Sequence, residues 1–382
     1  MNNNIRVGNL FGIPFYINPS WFLVLGLVTL SYGGLLASQF SMGGILPWIL
    51  GFVSALLLFA SVLAHELGHS FVALKQGIDV KSITLFLFGG LASLEKESDS
   101  PAQAFWVAIA GPLVSLALFA TFSAIGIATG ASGPLGAMLA LLASINLVVA
   151  LFNLIPGLPL DGGNILKAIV WKITGNPYKG INFAGRVGQV IGWIAILSGA
   201  IPLLFYGNFN SIWNILIGWF LLQNAGFAAQ SATVQDRLSA LTAADVVDRE
   251  NSPIVSADLS LRQFANNYVI GKEKWRKFLV TDESDRLIGT LNVDDLKLVS
   301  TADWPKTQVR ELVKPMEDTL TVTSDRSLLE VVSLLEEKQI NELPVVGENG
   351  ALVGLLEKTE IIRKLQQRTE TKADRSQFQL PA

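Results

Sequence analysis

The sequence lacks cysteine altogether and holds only two histidines among its 382 residues. Without cysteine there are no disulfides, thiolate metal sites or thiol nucleophiles, so any bound metal has to be held by histidine and carboxylate side chains. Basic residues are also few, at 28 Lys and Arg against 31 Asp and Glu, and they form no basic stripe. A nucleic acid is therefore not expected as a partner.

Charge is scarce in the first part of the chain and common in the rest. Residues 1–240 hold nine Lys or Arg and seven Asp or Glu, whereas residues 241–382 hold 19 and 24. With 51% hydrophobic and only 15% charged residues, the sequence is too apolar for an ordinary soluble protein. We expect a multi-pass α-helical membrane domain over residues 1–235, in contact with the lipid bilayer, followed by a soluble α/β module.

Six apolar runs approach or exceed the roughly 20 helical residues that cross a bilayer. They are Ile17–Leu36, Ile45–Ala73, Ala102–Ile127, Leu135–Ile155, Gly185–Phe205 and Ile212–Ala229. If the N-terminus is cytoplasmic, all nine basic residues of residues 1–240 fall on the cytoplasmic side, as the positive-inside rule requires. We therefore expect both termini in the cytoplasm.

Both histidines lie in one short motif near the end of the second run. His65 and His69 are four residues apart and so share one helix face, with Glu66 beside them. This pattern is typical of two zinc ligands and a general base. The preceding residues 45–64 carry no charge, and an ionised side chain at the bilayer centre costs roughly 2.5–3.5 kcal/mol on insertion scales, which favours a functional role. The alternative is a set of helix-end polar residues exposed at the membrane surface.

A second polar cluster follows the fourth run, in Asn153–Gly163. Pro156 and Pro159 should break the helix there, and irregular backbone at membrane depth is tolerated where it is buried or lines a watery cavity. Asp161 is the candidate third ligand, since two histidines and one carboxylate leave the fourth zinc position open for water. The alternative is that Asp161 caps a helix starting near Gly162.

These two motifs, in this order, resemble those of the site-two protease family of intramembrane zinc metalloproteases. The resemblance implies Zn²⁺ held by His65, His69 and Asp161, with Glu66 as catalytic base. It also suggests that Asn153 orients the substrate or stabilises the oxyanion. The family further suggests a bacterial-type cell membrane and, as substrate, a membrane-spanning anti-sigma factor or another single-span protein.

Two further stretches resemble features of this family. Residues 85–92 are predicted to form a β-strand with a glycine turn, either offering an edge to an unwound substrate by β-addition or packing as a plain re-entrant hairpin. Ala110-Gly111-Pro112 fits the family's small-residue pattern. Relatives often carry Asn three residues after that proline, where this chain has Ser115, so helix packing is expected at Ser115 in place of polar support.

The polar part contains two similar units, each predicted as strand, helix, strand, turn, strand and helix. They resemble a tandem pair of cystathionine-β-synthase (CBS) domains over residues 242–366, with copies at 242–300 and 312–366. The resemblance implies a regulatory module, a homodimer contact through the CBS domains and, for many members, an adenine nucleotide. Residues 367–382 are expected to be disordered.

The ribose-binding pattern of such modules is incomplete in both copies. The first copy offers Gly289, Asn292 and Asp295, which lacks the usual hydroxyl, and Asp295 is the candidate nucleotide contact. The second places Glu357 and Glu360 after its glycine, where they would repel phosphate. A scaffold for dimerisation or docking, without a ligand, is the alternative.

The sequence thus predicts an intramembrane zinc endopeptidase with a cytoplasmic regulatory module. A CBS-regulated transporter or channel is the alternative, because such modules also occur there and six spans would suffice. That alternative requires polar residues spread along several spans, whereas here they concentrate at the two motifs. An inactive homologue acting as a membrane scaffold is a third alternative, although every expected ligand is present.

Overall fold

Six helices of the computed structural model are long and apolar enough to cross a bilayer, which confirms the predicted multi-pass helical fold. The structure describes residues 4–86, 89–249, 252–272, 275–315 and 320–365. It divides into two compact units, Met1–Thr233 and Val234–Ala382. The predicted disordered tail, 367–382, lies outside the described residues.

The first unit combines helices with a small sheet. Its helices are α1 (Ser20–Gln39), α2 (Leu46–Lys75), α3 (Pro101–Thr129), α4 (Gly133–Asn153), α5 (Asp161–Thr174), α6 (Pro177–Tyr206) and α7 (Ile212–Ser239, which continues into the second unit). Its strands are β1 (Ile5–Leu10), β2 (Ile13–Ile17), β3 (Val80–Phe86) and β4 (Gly89–Leu94). All of the helices except α5, together with a short 3₁₀ turn before α7, account for the six candidate spans.

The four strands form one sheet in the order β1-β2-β3-β4, with β2 and β3 parallel and the other pairs antiparallel. Ile13, Ile83 and Leu85 are buried from this sheet against Ala73 at the end of α2. The sheet is thereby fixed beside the second half of α2, and its last strand, β4, contacts that helix.

Two helix boundaries differ from the sequence prediction by more than three residues. The fifth span was expected to begin at Gly185 and begins at Pro177, capped by the Asn176 side chain, which accepts from the Tyr178 and Lys179 amides. The last was expected to end at Ala229 and continues to Ser239. Hydropathy marks where a segment is apolar, whereas a helix continues into polar residues as long as its backbone hydrogen bonds do.

The helical structure is interrupted around Pro156 and Pro159, as predicted. Helix α4 ends at Asn153, residues 154–160 form tight turns, and α5 starts at Asp161. With 14 residues, α5 is shorter than the roughly 20 that a span needs.

The second unit contains two three-stranded repeats. The first has β5 (Ile254–Ser256), α8 (Leu261–Phe264), β6 (Lys277–Thr281) and β7 (Leu287–Asn292), with β8 (Lys314–Pro315) added at its edge. The second has β9 (Val322–Thr323), α9 (Leu328–Glu337), β10 (Glu342–Val346) and β11 (Leu352–Glu357), followed by a helical segment over 358–365. In both, the first strand pairs parallel with the second and the second antiparallel with the third.

The repeats confirm the predicted α/β fold and its two hairpin turns, where Asp285 and Gly350 adopt positive φ values of 59° and 79°. They differ in their helices, because α8 is a single turn continued by a π-helical turn at Ala265–Val269. The two asparagines at the start of that turn have low helix propensity, which accounts for the short α8.

Candidate metal centre

His65 and His69 lie on one face of α2, and the turn after α4 brings Asp161 to them from the start of α5. Asp161 Oδ2 is 3.1 Å from His65 Nε2 and 3.4 Å from His69 Nε2, and the two Nε2 atoms are 3.3 Å apart. The side chains are only 5%, 12% and 17% exposed for His65, His69 and Asp161. The structure thus joins the two motifs that are about 90 residues apart in the sequence.

These three distances fit a tetrahedral zinc ion. Zinc binds histidine nitrogen and carboxylate oxygen at about 2.0–2.2 Å, so neighbouring ligand atoms of a tetrahedral site are about 3.3–3.5 Å apart. The observed separations of 3.1, 3.3 and 3.4 Å match one face of such a tetrahedron. The fourth corner has no protein ligand among the described residues, which is the arrangement of catalytic zinc sites.

Each histidine is oriented through its other ring nitrogen by helix α3. His69 Nδ1 is 2.7 Å from the Val107 carbonyl oxygen, which can only accept, so Nδ1 carries the proton and Nε2 is free to ligate. His65 Nδ1 is 2.9 Å from Ser115 Oγ, and this serine is fully buried. The expectation that Ser115 serves packing in place of polar support is therefore wrong, because its hydroxyl hydrogen-bonds the ring of a candidate ligand.

Gly111 leaves the space in which the two imidazoles meet. A Cβ built on this residue would overlap His69 Nε2 and lie 2.6 Å from His65 Nε2. Only glycine allows α3 to pass this close to the ligand atoms. The space left by the missing side chain of Gly111 is a second observation, independent of the ligand distances, that fits an ion at this place.

Glu66 faces strand β4 beside the three candidate ligands. A Cβ on Gly90 would overlap the Glu66 side chain, and the Ala92 backbone amide hydrogen-bonds the Glu66 carboxylate. The strand predicted over residues 85–92 is present as the end of β3 and as β4, although Leu87 and Phe88 lie outside the described residues. The carboxylate is thereby held at the edge of a cavity.

That cavity, of about 800 Å³, is lined by His65, Glu66, His69, Asn153 and Asp161. Asn153, the last residue of α4, is half-buried and faces the same space as the candidate ligands. These positions contradict the alternative that the motif is a set of exposed helix-end residues. The structure also assigns no cap to Asp161, because the capping position of α5 is Leu160 and Asp161 is the first helical residue.

Two residues of α5 that line the cavity were not predicted from the sequence. Asn164 lies on α5 one turn after Asp161, and Lys167 lies one turn further and pairs with Glu97 at 3.3 Å. A helical period of three to four counted from Asp161 would have indicated both.

Asp295, the candidate nucleotide contact, is engaged within the protein. Its Oδ1 accepts from Lys314 Nζ at 2.7 Å, and its Oδ2 accepts from the Asn292 backbone amide at 3.1 Å in a capping box. The Lys314 ammonium holds the pKa of this carboxyl below its usual range. Both oxygens therefore already have donors within the first repeat.

Comparison with known proteins gives matches along nearly the whole chain. The model of peptidase family M50 matches residues 53–132 and 127–195, and the CBS domain model matches residues 309–367. Protein sll0528 of Synechocystis sp., named as a zinc metalloprotease, is 59% identical over 366 residues, covering 96% of each chain. The zinc metalloprotease MJ0392 of Methanocaldococcus jannaschii is 30% identical over 373 residues, covering 96% of this chain and 97% of its own.

Among solved structures, the site-2 protease from Methanocaldococcus jannaschii is 30% identical, with a TM-score of 0.42, over 59% of this chain and 95% of its own.

Proposed function

The chain belongs to peptidase family M50, the site-2 protease family, and we propose that it cleaves other proteins within or beside their membrane-spanning segments. As a member it is a multi-pass, zinc-dependent metalloprotease with a CBS domain. The main support for cleavage at this place is that His65, His69 and Asp161 converge beside Glu66. The two histidines and the glutamate lie inside a candidate span.

His65 Nε2, His69 Nε2 and one Asp161 oxygen would hold the zinc ion. When bound, zinc lowers the pKa of a coordinated water toward about 7 and polarises a carbonyl. Glu66 accepts the proton of the attacking water on its carboxylate and passes it to the departing amine. Val107 and Ser115 keep the two imidazoles oriented throughout.

We assign substrate positioning to the wall of the cavity that also contains Glu66. Asn153 lines that wall at the end of α4, and its side-chain amide is a donor suited to a developing oxyanion. Strand β4 is an edge of its sheet, so it can pair with an extended substrate segment by β-addition. A substrate helix hides its carbonyls in internal hydrogen bonds and has to unwind first. Substrates should therefore carry helix-weakening residues near the cut.

The Glu66→Gln variant tests the proposed chemistry. The amide cannot accept the proton, so cleavage of a single-span substrate in proteoliposomes should fall by about 10²-fold or more. Zinc content, measured by mass spectrometry of the metal, should stay at one ion per chain. Glu95→Gln is the matched control, since Glu95 is exposed outside the spans. Cleavage by Glu66→Gln at the wild-type rate would refute the assignment.

We further propose that the natural substrate is a single-span membrane protein, for which an anti-sigma factor in a bacterial-type cell membrane is one candidate. Trapping with Glu66→Gln, which should bind without cleaving, would identify it. We also propose that both termini lie in the cytoplasm. The basic residues support this orientation, because they flank only one end of each candidate span. Cysteines introduced near each terminus and labelled from one side of the membrane would test that orientation.

For the CBS pair we propose a regulatory role, with an adenine nucleotide as the ligand to be tested and a homodimer as its alternative use. Engagement of Asp295 by Lys314 means that a ribose would have to displace an internal ion pair. Isothermal titration of the full-length protein with ATP and AMP tests the ligand. A binding heat in the wild type that is absent in Asp295→Asn supports nucleotide binding at the first repeat. If the wild type gives no binding heat, the module acts as a scaffold.

A further inference from the structure

A polar groove lies between α6 and α7, away from the candidate metal centre. The two helices pack closely there, because a Cβ on Gly185 would lie 2.9 Å from the Ala225 carbonyl oxygen and from Ala229 Cβ. Beside this contact is a cavity of about 560 Å³. Its polar lining residues are Asn182, Arg186, Gln189, Gln223, Gln230 and Thr233.

The groove holds one positive charge and no acidic residue in the described part of the chain. Within residues 4–233, as far as they are described, Arg186 makes no ion pair and no hydrogen bond, and neither do the side chains of Gln189, Gln223 and Gln230. Asn182, by contrast, donates to Thr233 Oγ1 at 2.7 Å and ties the two helices at one end. Gln189 Nε2 lies over Gly226, 3.1 Å from where a Cβ at position 226 would be. A guanidinium and three free amides therefore face one space.

Arg186 belongs to the stripe of α6 that is turned away from the bundle. The other members of this stripe are large, apolar and 50–58% exposed, namely Phe183, Val190, Trp193 and Leu197. Their spacing of three or four residues puts them on one helix face, which in a spanning helix faces lipid. Arg186 is the charged residue on an otherwise lipid-facing surface.

The position of Arg186 along α6 sets its depth. From residue 187 to the end of α6 at Tyr206 there are 20 residues without charge, which extend about 30 Å at 1.5 Å per residue. This equals the thickness of the hydrocarbon core, so Arg186 lies at the level of the lipid headgroups. An arginine at that level binds phosphate strongly because its planar guanidinium matches two phosphate oxygens.

We propose that the groove between α6 and α7 binds the phosphate of a membrane phospholipid. Arg186 provides the charge, Gln189 and the glutamines of α7 donate to the remaining headgroup oxygens, and the acyl chains run along the apolar stripe. A positive charge serving membrane orientation alone would need no cluster of amides around it. The site is independent of the proposed proteolytic function, since no residue of it lines the catalytic cavity.

Native mass spectrometry of the full-length protein released from phosphatidylcholine nanodiscs containing some phosphatidylglycerol tests the site. Wild type should retain one phosphatidylglycerol, and Arg186→Gln should reduce that retention at least about tenfold, as expected for a lost charge-assisted hydrogen bond. Lys179→Gln is the matched control, because Lys179 is exposed on the same helix two turns away and does not line the groove. Equal retention by Arg186→Gln and Lys179→Gln would overturn the proposal.

Two further experiments test the identity of the ligand and the role of the amides. Inorganic phosphate added in excess should not displace the lipid, and displacement with phosphate bound alone would overturn the lipid as ligand. Gln189→Ala, which removes an amide and leaves the charge, should give an intermediate loss and covers the case that Arg186→Gln does not fold. Unchanged retention in Gln189→Ala would contradict the role of the amides.

Discussion

Ser115 Oγ on α3 lies 2.9 Å from Nδ1 of His65 on α2, so a small hydroxyl fixes the ring that carries one candidate zinc ligand. Both groups are buried, and no other described side chain forms a hydrogen bond with that nitrogen. The hydroxyl therefore fixes both the ring plane and the direction of Nε2.

Removing this hydroxyl should weaken zinc binding without unfolding the protein. Loss of an outer partner of a ligating histidine costs about 10–100-fold in metal affinity, and we expect Ser115→Ala to fall in that range. The measurement is zinc competition against a chromophoric chelator. Ser144→Ala is the control, since that hydroxyl bonds only the Ala140 carbonyl of its own helix. Equal affinities in the two variants would show that Ser115 serves packing.

A methyl group at position 111 should remove the metal. In Gly111→Ala the new Cβ overlaps the ligand atoms of both histidines, and we expect loss of bound zinc and of cleavage together. Gly126→Ala, on the same helix with no atom within 4 Å of its Cβ, should keep both. Metal content of the purified proteins is decisive, and a zinc-replete Gly111→Ala would mean that the ion does not sit between the rings.

A methyl group at position 90 should separate catalysis from metal binding. In Gly90→Ala the three atoms nearest to the new Cβ all belong to the Glu66 side chain, so cleavage should drop at least about tenfold while zinc stays bound. Gly8→Ala in β1, where a Cβ meets nothing, is the matched strand control. Cleavage by Gly90→Ala at the rate of Gly8→Ala would place the proton transfer elsewhere.

The ion pair between Asp295 and Lys314 should make the stability of the second unit depend on pH. Lys314 lowers the pKa of the Asp295 carboxyl, so the stabilisation is fully present above the unfolded-state pKa of about 3.9 and is lost as the pH falls through the lower folded-state value. Asp295→Asn should therefore lower the unfolding midpoint at neutral pH, corresponding to about 0.5–1 kcal/mol.

Thermal unfolding followed by tryptophan fluorescence measures this difference, since Trp275 and Trp304 lie in that unit. The gap between wild type and Asp295→Asn should close below about pH 4. Asp294→Asn is the control, because Asp294 pairs only with the exposed Lys297 nearby. A gap that persists at low pH would mean that the charge of Asp295 is not its cause.

The candidate metal centre was predictable from the sequence where the residues concerned are close together in the chain. The four-residue spacing of His65 and His69 fixes their common helix face, and the prolines after Asn153 fix where the chain turns. The fold was predictable for a similar reason, because six long apolar runs and two repeated strand patterns can be read directly from the sequence.

What escaped prediction depends on how helices rotate against one another. The Val107 carbonyl carries no side-chain signal, and only the packing of α3 on α2 turns it toward His69. The role of Ser115 was predicted wrongly for a related reason. Its short side chain reaches His65 because Gly68 on α2 allows α3 to approach closely. The Ala110 carbonyl oxygen lies only 3.1 Å from where a Cβ at position 68 would be.

The third candidate ligand is carried by an element that is too short to cross the bilayer. Helix α5 is joined to α4 only through the turns at residues 154–160, whereas both imidazoles belong to a full-length span. The position of this one short segment therefore decides whether a third protein ligand reaches the two imidazoles.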